Sequence, residues 1–235
     1  MAKHLDLEEQ EQLDELKHFW KRYGNVISWV LIAVFGAVAA WNGYQYWQRS
    51  QAAQAAVMYD EVERVALAGD LPKLDRVMSD MKERFGRTAY AEQAALLAAR
   101  TYHDKGNLAA SKAALAWVAA EASDEGYKAV AKLRLAGILL EAQSYDEALK
   151  QLSGDMPKDF AALAADRRGD ILAAQGKKDA AKEQYQTAYK LFDERAEYRR
   201  LVEVKLNALG VDPVPAAVAA AAAKSAGADT NESKK

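Results

Sequence analysis

The chain has 235 residues, 51% hydrophobic and 28% charged, with a formal net charge of −2. It has no cysteine, which removes disulfides, thiolate nucleophiles and Cys-ligated metals. Four Lys/Arg and six Asp/Glu precede Arg49, and from Arg49 onward there are 28 of each sign, so the larger part lacks the concentrated basic excess that nucleic-acid binding demands.

Ala, Leu, Lys and Glu dominate and there are only four prolines, which points to an all-α chain. Residues 5–23 read as a short amphipathic helix. Asp6 and Glu9 have capping-box spacing, and Leu13, Leu16, Trp20 and Tyr23 recur at intervals of three and four. That face suits a membrane surface or a docking partner.

Asn25 to Trp47 contains no Asp, Glu, Lys, Arg or His. As a helix it is roughly 34 Å long, enough to cross a hydrocarbon core of about 30 Å. Trp20 and Tyr23 before it, and Trp41, Tyr44, Tyr46 and Trp47 after it, are the amphipathic rings that favour the headgroup level. A buried core helix rarely needs that length. A cleaved signal peptide would have a basic leader and a shorter apolar run, whereas Asp6, Glu8, Glu9, Glu11, Asp14 and Glu15 make this leader acidic. The reading is an uncleaved anchor. Lys17, Lys21 and Arg22 lie before it against Arg49 alone just after, so the N-terminus is expected to stay cytoplasmic and the rest to be exported. Within the span, Ala33, Gly36, Ala40 and Gly43 form a stripe of small residues against which another transmembrane helix can pack closely. Gly and Ala are also common in such helices for no specific reason.

Beyond the span, Gln48 to Ala68 continues as helix, with Ala55, Tyr59, Val62 and Ala66 on one face, until Gly69-Asp70-Leu71-Pro72 stops it. A second helix runs to about Arg84. Three segments then align. Ala99, Tyr102, Gly106, Leu108, Ser111 and Leu115 match Ala136, Leu139, Gln143, Tyr145, Ala148 and Leu152, then Gly169, Leu172, Gly176, Lys178, Ala181 and Tyr185, at offsets of 37 and 33. Small residues on the first helix (Ala99, Ala136, Gly169) admit a second helix whose small residue (Ser111, Ala148, Ala181) faces them, and Gly106 and Gly176 permit the reversal. The period and pattern resemble tetratricopeptide repeats, with Gln143 and Lys178 departing from them. The expected fold is one transmembrane helix followed by a tetratricopeptide-like α-solenoid of three to four hairpins. Gly154-Asp155-Met156-Pro157 marks a shortened second helix, Arg195 to Leu209 a capping helix, and the segment after Gly210 a mobile Ala-rich tail. The domain boundaries are 1–24, 25–47, 48–209 and 210–235.

No motif carries catalysis. His4, His18 and His103 are scattered, and no phosphate loop, nucleophile elbow or metal-ligand spacing is present, so no catalytic residue, cofactor or metal is assigned. A surface remains. In a tetratricopeptide stack the first helices line a groove, and the pattern places Leu96, Arg100, His103, Val130, Leu133, Leu140, Leu163, Asp166 and Asp170 there, apolar with charge of both signs, suited to extended peptide. Several of these leucines equally fit a core.

Glu15-Leu16-Lys17 with Phe19-Trp20 and Tyr23-Gly24-Asn25, the span ending Trp41-Asn42-Gly43-Tyr44-Gln45-Tyr46-Trp47, the Ala-rich helix to Tyr59 and Lys205-Leu206-Asn207-Ala208-Leu209 together resemble the YfgM family over about Glu11 to Leu209. The resemblance implies a single-pass type II inner-membrane protein of Gram-negative bacteria, ancillary to the SecYEG translocon, with a periplasmic tetratricopeptide domain. It further implies work beside the membrane-anchored periplasmic chaperone PpiD on newly exported, unfolded chains. The alternative is a non-chaperone scaffold that assembles a cell-envelope complex.

Overall fold

A computed structural model of the chain describes residues 7–213, with side chains from residue 13. The Asp6–Glu9 capping pair and the Ala-rich tail from residue 214 lie outside the described residues. Among the described residues there are nine helices and no strand: α1 (Leu7–Ala68), α2 (Leu71–Phe85), α3 (Ala89–Asp104), α4 (Leu108–Glu121), α5 (Glu125–Glu141), α6 (Tyr145–Gln151), α7 (Lys158–Ala174), α8 (Lys178–Leu191) and α9 (Glu197–Ala208). Contacts divide the chain into two units after Gln54.

In the first unit, α1 joins the amphipathic and uncharged stretches into one helix. Nothing between Leu7 and Ala68 breaks it: Gly24, Gly36 and Gly43 weaken a helix by about 1 kcal/mol each, and the first proline is Pro72. Two of its polar residues turn back onto the helix: Ser28 Oγ donates to the Gly24 carbonyl at 2.8 Å and Asn42 Nδ2 to that of Val38 at 3.0 Å, giving each a partner without water. Trp29, Phe35 and Trp41 are exposed, and α1 is the one described helix long and apolar enough to cross a bilayer.

In the second unit, the end of α1 buries Ala55, Val62, Val65 and Ala66 in a core shared with Leu74, Met78, Met81 and Phe85 of α2. Helix starts are set by side chains that accept from otherwise unpaired backbone N–H groups: Asp70 from Lys73, Thr88 from Ala91, Asn107 from Ala110 and Asp124 from Gly126 and Tyr127. The helices then pair as α3 with α4, α5 with α6 and α7 with α8, while α3 touches α5 and α5 touches α7, which is a tetratricopeptide-like solenoid. A core built largely of Ala (Ala91, Ala94, Ala95, Ala98, Ala131, Ala164) lets the helices approach closely. Ser111, fully buried on α4, donates to the Ala99 carbonyl at 2.7 Å, joining the first small-residue pair. In the third pair, Gly169 instead faces the Tyr185 ring.

One turn recurs. After α3 the N–H of Gly106 bonds His103 O and that of Asn107 bonds Tyr102 O. The same two bonds follow α5 (Gln143 to Leu140, Ser144 to Leu139), α7 (Gly176 to Ala173, Lys177 to Leu172) and α9 (Gly210 to Asn207, Val211 to Leu206). Each is a left-handed helix terminator, with φ of 78° at the three glycines and 58° at Gln143. Gln143 therefore holds a conformation that an L side chain adopts at a cost, and its own side chain is exposed. Gln143→Gly is expected to stabilise the protein by about 0.5–1 kcal/mol, the relief being partly offset by the freer unfolded chain; thermal melts of the two proteins check it. The second helix of that hairpin, α6, has only seven residues and ends ahead of Gly154 at φ 91°, the shortening expected from Gly154 to Pro157.

Candidate protein-binding groove

The first helices α3, α5 and α7, with Ser111 and Leu115 of α4, border a recess of about 450 Å³. Its apolar part comes from Leu115, Leu133 and Ile138, its charged part from Arg100, Arg134, Arg167 and Glu141, with His103 beside Glu141 at 3.5 Å between Nε2 and Oε2. Arg100 Nε lies 3.7 Å from Asp104 on its own helix. Gly137 opens the middle of α5: a Cβ there would sit 3.8 Å from Arg167 Nη1, so this guanidinium lies over α5 with no side chain beneath it.

Of the nine residues expected in a groove, Arg100, His103 and Leu133 meet in this recess. Val130 and Leu140 are half-buried and pack against the core, and Leu163 is half-buried. Leu96, one turn before Arg100 on the same stripe, belongs to the core at 8% exposure.

Asp166 and Asp170 are not groove surface either. Asp166 is 2% exposed, and Lys205 of α9 donates to its two carboxylate oxygens at 2.7 and 2.8 Å and to Asp170 Oδ1 at 2.7 Å. Tyr198 OH donates to Asp166 Oδ2 and Tyr185 OH to Asp170 Oδ1, each at 2.9 Å. Burial first, and then the Asp166 carboxylate, push the Tyr198 hydroxyl up to about 12; burial and Asp170 push that of Tyr185 up as well, so both stay neutral donors. This cluster fastens α9 to α7.

Arg134, Gly137, Glu141 and Arg167 escaped the sequence reading. One signal was available: Arg134 and Arg167 stand at the offset of 33 that relates the second and third copies, so the repeat itself puts an arginine at the same place on α5 and α7. On α1, Ala33, Gly36, Ala40 and Gly43 are all exposed, and a Cβ at Gly36 or Gly43 would meet nothing within 4 Å.

The tetratricopeptide repeat-like domain model matches residues 17–211. Three relatives, each named an ancillary SecYEG translocon subunit, align with nearly the whole chain. That of Neisseria gonorrhoeae is 32% identical over 213 residues, covering 89% of this chain and 100% of the relative. The Escherichia coli K12 protein is 27% identical over 206 residues (86% and 97%), and that of Haemophilus influenzae 28% over 203 residues (86% and 98%). No solved structure gives a significant match. With a domain model reaching from residue 17 to 211 and a relative 32% identical matched along its full length, the chain belongs to the YfgM family of ancillary SecYEG translocon subunits, built on a tetratricopeptide repeat-like domain.

Proposed function

We propose that the chain is a membrane-anchored, non-enzymatic ancillary subunit of the SecYEG translocon. Residues 1–24 are cytoplasmic, 25–47 cross the inner membrane, and the helical domain works in the periplasm, where it receives exported chains beside a PpiD-like chaperone. The observation that carries this reading is the union, in one chain of which 89% aligns with an ancillary translocon subunit, of a helix with an exposed uncharged stretch and a solenoid with an open recess. The anchor supplies proximity: tethering raises the local concentration of a weak peptide binder at the place where chains emerge. The stripe of Ala33, Gly36, Ala40 and Gly43 is the proposed contact with a neighbouring transmembrane helix, since small residues allow the close packing that association in lipid depends on.

The full-length protein is expected to copurify with translocon subunits from native membranes, and to lose them when residues 25–47 are exchanged for a foreign span of equal length. Retention after the exchange would sink the role given to the span. An aggregation assay with an unfolded client separates this reading from a scaffold, which would leave aggregation unchanged.

A further inference from the structure

The recess bordered by α3, α5 and α7 is cationic in a unit whose charges balance overall. Three guanidinium groups, those of Arg100, Arg134 and Arg167, line it against one carboxylate, Glu141, which faces His103. Among the described residues no carboxylate forms an ion pair with Arg134 or Arg167, whereas Arg100 is paired with Asp104, four residues on, at 3.7 Å. Arginine presents a planar fork of donors that matches a carboxylate, and an unpaired arginine beside apolar surface is a place where such a pair adds both affinity and selectivity. Gly137 keeps the floor under Arg167 open, while half-buried Leu133 supplies apolar contact above the buried Leu115 and Ile138.

We propose that this recess binds extended peptide segments in which Asp or Glu side chains alternate with apolar residues, the carboxylates pairing with Arg134 and Arg167 and the apolar side chains resting on Leu133. The assignment rests on the reading that the domain receives exported chains, and it names which segments are held. The side-chain carboxylate is chosen over a chain end because two arginines, one on α5 and one on α7, lie along the recess and can take carboxylates in succession.

The test uses the full-length chain in nanodiscs of neutral phosphatidylcholine. The probes are fluorescein-labelled, C-terminally amidated peptides of Leu, Ala and Ser bearing several Glu, and the same peptides with Gln or Lys in place of Glu. The Glu peptide is expected to bind about tenfold more tightly than the Gln peptide at low salt, and the Lys peptide more weakly still. The double variant R134Q/R167Q should erase the difference between Glu and Gln. Gly137→Leu, which fills the recess and leaves both arginines in place, should weaken the Glu peptide as much and keeps the test valid if the double variant does not fold. Equal binding of Glu and Gln peptides, or discrimination that survives both variants, overturns the proposal. So does a Gln peptide with a free C-terminus that matches the Glu peptide, which would assign the recess to chain ends. Copurification with the translocon reads the anchor and not the recess, so a negative peptide result beside intact copurification sinks this inference alone.

Discussion

Replacing Lys205 with Met is expected to destabilise the helical domain by about 3–5 kcal/mol, lowering its melting temperature by roughly 10 °C or more. Lys205 Nζ is shared by both oxygens of Asp166 and by Asp170 Oδ1, at 2.7 to 2.8 Å. Methionine keeps the apolar stem and removes the one cation that, among the described residues, bonds to Asp166, which is 2% exposed and would keep the Tyr198 hydroxyl. A carboxylate left that deep without its cation is the costly outcome; a charge pair removed together is not. Asp170 is less demanding, since it retains Tyr185 and reaches solvent in part. The double variant D166N/K205M should therefore recover most of the loss, and equal melting temperatures for single and double variants would show that the pair is not what secures α9. Loosening α9 would also uncover Val202 and Leu206, fully buried in the second core cluster with Tyr185 and Ala188.

That cluster marks the limit of what is legible in the sequence. The anchor, the hairpin order, the recurring turn and the short α6 follow from patterns within a few residues: an uncharged run, small residues at fixed spacing, and Gly or Gln at one position of each copy. Asp166 has the same spacing as a groove residue, but its partner stands 39 positions away on a helix outside the three aligned copies. Nothing local distinguishes a carboxylate waiting for a ligand from one already paired. Leu96 fails for a different reason. It shares a stripe with Arg100 and His103, yet the spacing of residues along a helix gives direction and not depth, and Leu96 is packed into the core cluster. Arg134 and Arg167 were visible in principle, at equal positions of two copies. The alignment was anchored on small residues, which mark where helices touch, and so it passed over the positions that face outward.

Two helical glycines, Gly137 in the recess and Gly169 against the Tyr185 ring, differ in the sign of one substitution. Gly169→Ala should cost about 1–2 kcal/mol, although alanine is the better helix former by about 1 kcal/mol. A Cβ at residue 169 would sit 2.5 Å from Tyr185 Cε1 and 2.6 Å from Cδ1. The ring has nowhere to go: Tyr185 is buried, its hydroxyl is tied to Asp170, and Lys205 Nζ lies 5.3 Å from its centroid. The repeat explains why glycine stands here. The aligned pairs in the earlier copies are Ala99 with Leu115 and Ala136 with Leu152, so a ring on the second helix is matched by the loss of a methyl on the first. At Gly137 a Cβ would meet only Arg167, at an ordinary 3.8 Å, and Gly137→Ala should stabilise by about 0.5–1 kcal/mol. Melting curves of both variants in the same detergent give the comparison, and adding Tyr185→Leu to Gly169→Ala should restore part of the loss, a coupling that a double-mutant cycle reads directly. If Gly169→Ala stabilised as Gly137→Ala does, the close contact between α7 and α8 would not be what selects glycine at 169.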